Sequence, residues 1–163
     1  SNLQPVIDWT NQHSLSEDLW ILTDFPADAV IPAATALGFR NSHAVRIERW
    51  TPERHFEWTT LALAALDVKG DDFRARHKPP TKALDFLASG VPLAMYPDSS
   101  STEHLLKKYE FQIAGLEDHD HWLSADYWQA VQQIAPRLKS DLSLEVVAAR
   151  FVAMIQTAIF ETR

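Results

Sequence analysis

Residues 77–96 read HKPPTKALDFLASGVPLAMY, and the architecture of the chain can be worked outward from them. Pro79 and Pro80 suit the first turn of a helix, where the amides they lack would have had no intrahelical partner. Leu84, Leu87 and Ala88 then recur at helical spacing, which predicts a helix over residues 79–89 with that face turned to a sheet. Gly90 closes the helix, because glycine adopts a left-handed conformation at little cost, and Pro92 prevents any continuation. VPLAMY at 91–96 follows as a short buried strand. Helix, glycine turn and buried strand in so short a span make half of a crossover unit.

The same alternation extends in both directions. Strand-length apolar runs stand at residues 19–25 (LWILTDF), 43–50 (HAVRIERW), 65–68 (ALDV) and 111–116 (FQIAGL). Helical spacing is found over residues 3–12, 27–37, 52–65 and 101–109, with Gly38 after the second of these and Ser101 or Thr102, with Glu103, capping the last. Strands alternating with helices through short links predict an α/β fold: a Rossmann-like three-layer domain with a mostly parallel sheet. Residues 1–163 read as one such domain, with an alternating core over 1–123 and C-terminal helices over 124–163. In the last helix Leu144, Val147, Ala148, Phe151, Met154, Ile155, Ala158 and Ile159 trace one apolar face, which should pack on the sheet or cross a neighbouring domain. The chain opens almost at once with a helix where a doubly wound domain should open with a strand, so a fragment of a longer protein is expected.

Composition sets the limits on function. An apolar fraction of 46% and a charged fraction of 23% are ordinary for a globular chain. With no cysteine there is neither a disulfide framework nor a thiolate ligand or nucleophile, which suits the cytoplasm, the expected compartment. A net charge of −7, with no basic stripe, argues against nucleic acid as the partner. No apolar run reaches the roughly 20 residues a transmembrane helix needs, and the polar opening Ser1-Asn2 is not expected to belong to a signal peptide.

Candidate chemistry gathers at the start of the helix over 79–89. Its unpaired first-turn amides favour anionic oxygens. Lys78, Lys82 and Asp85, spaced four and three apart, can share one face, the two ammonium groups for a diphosphate and the aspartate for ribose hydroxyls. From spacing alone, a solvated Lys–Asp pair on a surface helix is an equal reading.

TKALDFLASGVPLAMYP at 81–97 also resembles the donor-site segment of GT-B-fold glycosyltransferases, in its group 1, retaining type. Lys82, Phe86, Ala88, Gly90, Pro92 and Leu93 stand as that motif has them, and Asp85 falls where the family carries the glutamate that holds the donor ribose. Weaker similarity runs upstream through residues 50–67 and downstream through Thr102, Glu103, His104 and Leu105, so that about two-thirds of the chain is covered. The resemblance implies the C-terminal half of a GT-B fold, binding a nucleoside-diphosphate sugar without a metal or other cofactor. Donor-binding residues would be Lys78, Thr81, Lys82 and Asp85, with Trp50 and Thr51 placed to contact the base. Lys82 would be catalytic, stabilising the charge that builds on the departing nucleoside diphosphate. The acceptor would be held by an N-terminal domain absent from this chain. Two departures stand out: His77 and Asp85 occupy positions where retaining members often carry a pair of glutamates.

Other motifs carry less. His119, Asp120 and His121 lack a third ligand at metal-binding spacing. Ser99, Ser100 and Ser101 lack the glycines of a phosphate loop, and no dinucleotide fingerprint is present. Of the tryptophans, Trp20 and Trp58 are expected in the core, Trp122 and Trp128 as anchors of the terminal helices, and Trp50 in packing rather than in stacking on a ligand. Two readings compete with a glycosyltransferase: a catalytically degenerate domain that binds a nucleotide or a partner, and an unrelated flavodoxin-like module.

Overall fold

A computed structural model describes residues 3–13, 15–68, 80–96, 102 and 106–161. The chain is mixed α/β, with small parallel sheets and helices at its C-terminal end. Contacts gather in two compact units, the first holding the described residues up to Ala62 with Val68, the second holding Leu63–Asp67 and the described residues from Pro80 onward.

The first unit opens with α1 (Gln4–Gln12), started by Pro5 and ended by His13, whose backbone is extended. The ring nitrogen Nδ1 of His13 lies 2.9 Å from the Trp9 carbonyl oxygen, and its ring stacks on that indole at 5.1 Å. Strand β1 (Leu19–Thr23) pairs in parallel with β2 (Val45–Arg49), Leu19 opposite Val45 and Thr23 opposite Arg49. Ile7, Ala34 and Phe39 form the buried centre, with Leu19, Ile21, Val45 and Ile47 of the strands packed against it. Helix α2 (Pro52–Leu61) follows, its Thr51 cap accepting a hydrogen bond from the Arg54 amide at 3.1 Å.

The helix expected over residues 27–37 is not formed. Pro32 cannot donate to the carbonyl four residues back and clashes with it, so helical spacing in this stretch has no helix to serve. Only one turn survives beyond it, closed by Gly38 at φ +97°, with the Gly38 amide bonded to the Thr35 carbonyl at 3.1 Å and the Phe39 amide to the Ala34 carbonyl at 3.1 Å. That pairing is a Schellman closure. Helix α2 likewise stops at Leu61, short of the expected 65, because Ala62 turns extended.

In the second unit β3 (Ala65–Val68), β4 (Leu93–Tyr96) and β5 (Ala114–Gly115) form a sheet in that order, with β4 and β5 parallel. Leu93, Ala94 and Met95 are all buried, so the central strand is covered on both faces. Helix α3 (Thr81–Ala88) packs on β4 and on α5 (Ala125–Asp141). A short α4 (His119–Trp122) precedes α5, and α6 (Leu144–Glu161) closes the description. Ser124 caps α5 by accepting from the Tyr127 amide at 3.1 Å, and Tyr127, Val131, Ile134, Ala135 and Leu138 make its buried face.

Two expectations of burial need correction. Trp20 is exposed, lying against buried Trp58 at 5.2 Å with the Arg46 guanidinium over both rings, and Trp128 points away from the core that Trp122 fills. The apolar face of α6 is also uncovered: Leu144, Val147, Phe151, Met154, Ile155 and Ile159 are all exposed. Among the described residues no helix is long and apolar enough to cross a membrane.

Candidate functional site

Helix α3 places its residues as amphipathic spacing requires. Ala83, Leu84 and Leu87 are buried, while Thr81, Lys82 and Asp85 are exposed. The helix starts two residues later than expected: Pro80 is its cap residue, and the first helical bond runs from the Leu84 amide to the Pro80 carbonyl at 2.9 Å. A proline offers no side-chain oxygen to the free amides, and the first turn contains no acid. The end of α3 where Thr81 and Lys82 stand therefore keeps its partial positive charge uncompensated by its own side chains. Lys78 lies outside the described residues.

The far end of α3 is fixed tightly. Gly90 sits at φ +78°; its amide bonds to the Leu87 carbonyl at 3.0 Å, and the Val91 amide to the Phe86 carbonyl at 2.9 Å. The Gln132 side-chain amide of α5 donates to the Gly90 carbonyl at 2.6 Å and lies 2.9 Å from where a Cβ on Gly90 would stand. Glycine is needed here for both conformation and space.

Tyr127 fixes the strand that follows. The Leu116 amide donates to the Met95 carbonyl at 3.1 Å, a normal ladder bond between β5 and β4. One step earlier, the Tyr127 hydroxyl stands between the strands, accepting from the Ala114 amide at 3.1 Å and donating to the Leu93 carbonyl at 2.7 Å. It thereby ties β5 to β4 through a side chain of α5. Burial pushes its phenol up to about 12, against which the Ala114 amide acts. Neither Gln132 nor Tyr127 was identifiable in the sequence as a brace of the helix–turn–strand segment, since their partners lie 42 and 34 residues away.

Trp50 and Thr51 stand in the first unit, at the carboxyl end of β2. Trp50 is exposed, its ring 6.3 Å from that of His55. The Thr51 oxygen is engaged as the cap of α2, and the Glu53 carboxyl is held below its usual range by its own backbone amide and by the Thr51 hydroxyl. The start of α2 thus holds an acid of its own first turn, whereas the first turn of α3 contains none.

A cavity of about 310 Å³ in the first unit is lined by Thr10, Asn11, His13, Glu17 and Arg40 together with Leu19 and Val45, the first residues of β1 and β2. It therefore opens at the amino edge of that strand pair, whereas ligands of open α/β sheets bind at the carboxyl edge. Among the described residues no group of three metal-ligating side chains stands together. His119 meets Trp122 edge-on at 5.1 Å, and His121 lies 5.0 Å from the Tyr127 ring.

No family model, no curated protein and no solved structure matches this chain.

Proposed function

We propose that this chain is the nucleotide-sugar donor-binding half of a two-domain glycosyltransferase with a Rossmann-like, GT-B arrangement. The observation that carries the reading is the start of α3, uncapped and free of acid, with Thr81, Lys82 and Asp85 exposed around it and the opposite face buried. A diphosphate would take its hydrogen bonds from the first-turn amides and from Lys82, and Asp85 would accept from ribose hydroxyls. As the glycosidic bond of the donor breaks, negative charge moves onto the departing phosphate, and the helix start and the Lys82 ammonium would stabilise it there. Firm seating of α3 through Leu87, Gly90 and Gln132 supports this role, because such stabilisation depends on groups that need not move during reaction.

The test is calorimetric titration with UDP, GDP and their sugars. Lys82→Ala and Asp85→Ala should each weaken binding about 10- to 100-fold, the scale of a charge-assisted hydrogen bond. Nucleotide binding that both variants leave unchanged would remove the proposal. The Asp85 and His77 departures from the glutamate pair favour a second reading, a degenerate domain that binds nucleotide without transfer. Binding without turnover in a protein that also carries the acceptor domain would select it.

A further inference from the structure

Among the described residues, the side-chain contacts that tie helix α6 to the second unit lie near its beginning. The Arg150 guanidinium reaches the Asp141 carboxylate at 3.3 Å and the Asp141 carbonyl at 3.4 Å, and Val146 is half-buried; from Val147 onward every described side chain is exposed. Exposed fractions on its apolar face run from 43% at Ile155 to 80% at Leu144. At 3.6 residues per turn, Leu144, Val147, Phe151, Met154, Ile155 and Ile159 share an arc about 140° wide. Glu145, Arg150 and Glu161 all fall outside that arc, so nothing ionisable interrupts it. A face of this kind is the signature of an interface core rather than of a solvated surface.

We infer that this face pairs with the same face of a second copy of the chain, two α6 helices crossing antiparallel about a two-fold axis. The area is sufficient. The exposed portions of the apolar side chains come to roughly 700 Å² per copy and about 1,400 Å² for the pair, within the span of stable interfaces. The face is also self-complementary in shape. With the axis near residues 149–150, the partner's Phe151 falls opposite the small Ala148 and the partner's Ile155 opposite Leu144, so the central part of the face answers itself. Charge disfavours a lipid surface as the occupant. Interfacial helices carry a basic polar face, whereas residues 144–161 hold one arginine and two glutamates in a chain of net charge −7.

Sedimentation equilibrium of the chain between about 1 and 100 µM tests the pairing, which should give a dimer with Kd of about 1 µM or tighter. Phe151→Glu and Ile155→Glu should each weaken it at least 100-fold while leaving the far-ultraviolet circular dichroism unchanged, because both positions are exposed. Gln156→Glu, outside the arc, should leave the dimer intact. A monomer at 100 µM would overturn the inference, as would a dimer that survives Phe151→Glu, or a monomer that sediments with anionic vesicles. Pairing is independent of the donor reading: either can fail while the other stands.

Discussion

Replacing Tyr127 by phenylalanine removes one oxygen and leaves the ring in place, so it isolates what the hydroxyl does between β4 and β5. Both of its partners are backbone groups in a buried setting, the Leu93 carbonyl at 2.7 Å and the Ala114 amide at 3.1 Å. Each loses that hydrogen bond without gaining water, at about 1–3 kcal/mol for an unsatisfied buried group, and relaxation of the surrounding backbone recovers some of it. A net loss of about 3 kcal/mol is expected, which for a chain of this length lowers Tm by about 6–12 °C. The same hydroxyl makes a pH signature. Its pKa in the fold is about 12 against an ordinary 10, raised by burial, so the neutral phenol is the form that stabilises the fold. That contribution is complete below pH 10 and is lost as pH rises through 12, a change of about 2–3 kcal/mol. Thermal denaturation of both proteins at pH 8, 10 and 11.5 measures the two effects together. A fall in Tm of under 2 °C, or an alkaline slope no shallower in the variant, would refute the account of Tyr127 as a relay within the sheet.

Gly90→Ala should cost about 1–2 kcal/mol from the left-handed backbone alone, with a further loss as Gln132 is displaced, read as a lower urea midpoint. Asp141 is held down at about 2, first by the hydrogen bond from Lys108 and then by that from Tyr109, so its contribution is present above its ordinary 3.8 and is lost as pH falls through 2. Asp141→Asn should therefore flatten the acid limb of stability between pH 4 and 2, as denaturation at each pH would show. In the nucleotide titration, Lys82→Ala should also reduce the salt dependence of affinity, since it removes one phosphate-facing charge.

The helix–glycine–strand segment was legible because its determinants are local. Leu84 and Leu87 set the buried face of α3, and Gly90 takes the positive φ that a closing turn demands. Strands at 19–23, 45–49 and 65–68 were likewise signalled by dense runs of apolar and β-branched side chains. Residues 27–37 carry Ala and Leu at helical spacing, yet the backbone there obeys Pro32 and no helix forms. Of the exposed trio Thr81, Lys82 and Asp85, the last two followed from their spacing and Thr81 only from the resemblance. What steadies that trio did not, since Gln132 reaches Gly90 from another helix.

By itself the sequence determined the alternation of strands and helices outside residues 27–37, the buried face of α3 and the glycine turn that ends it, because these depend on neighbours within a few positions along the chain. Only the tertiary structure decided that the described strands divide into a pair and a trio, that the Tyr127 hydroxyl bonds both β4 and β5, and that the described apolar face of α6 is exposed. Those outcomes depend on groups far apart in sequence meeting, or failing to meet, at distances of a few ångströms, and periodicity carries no record of such encounters.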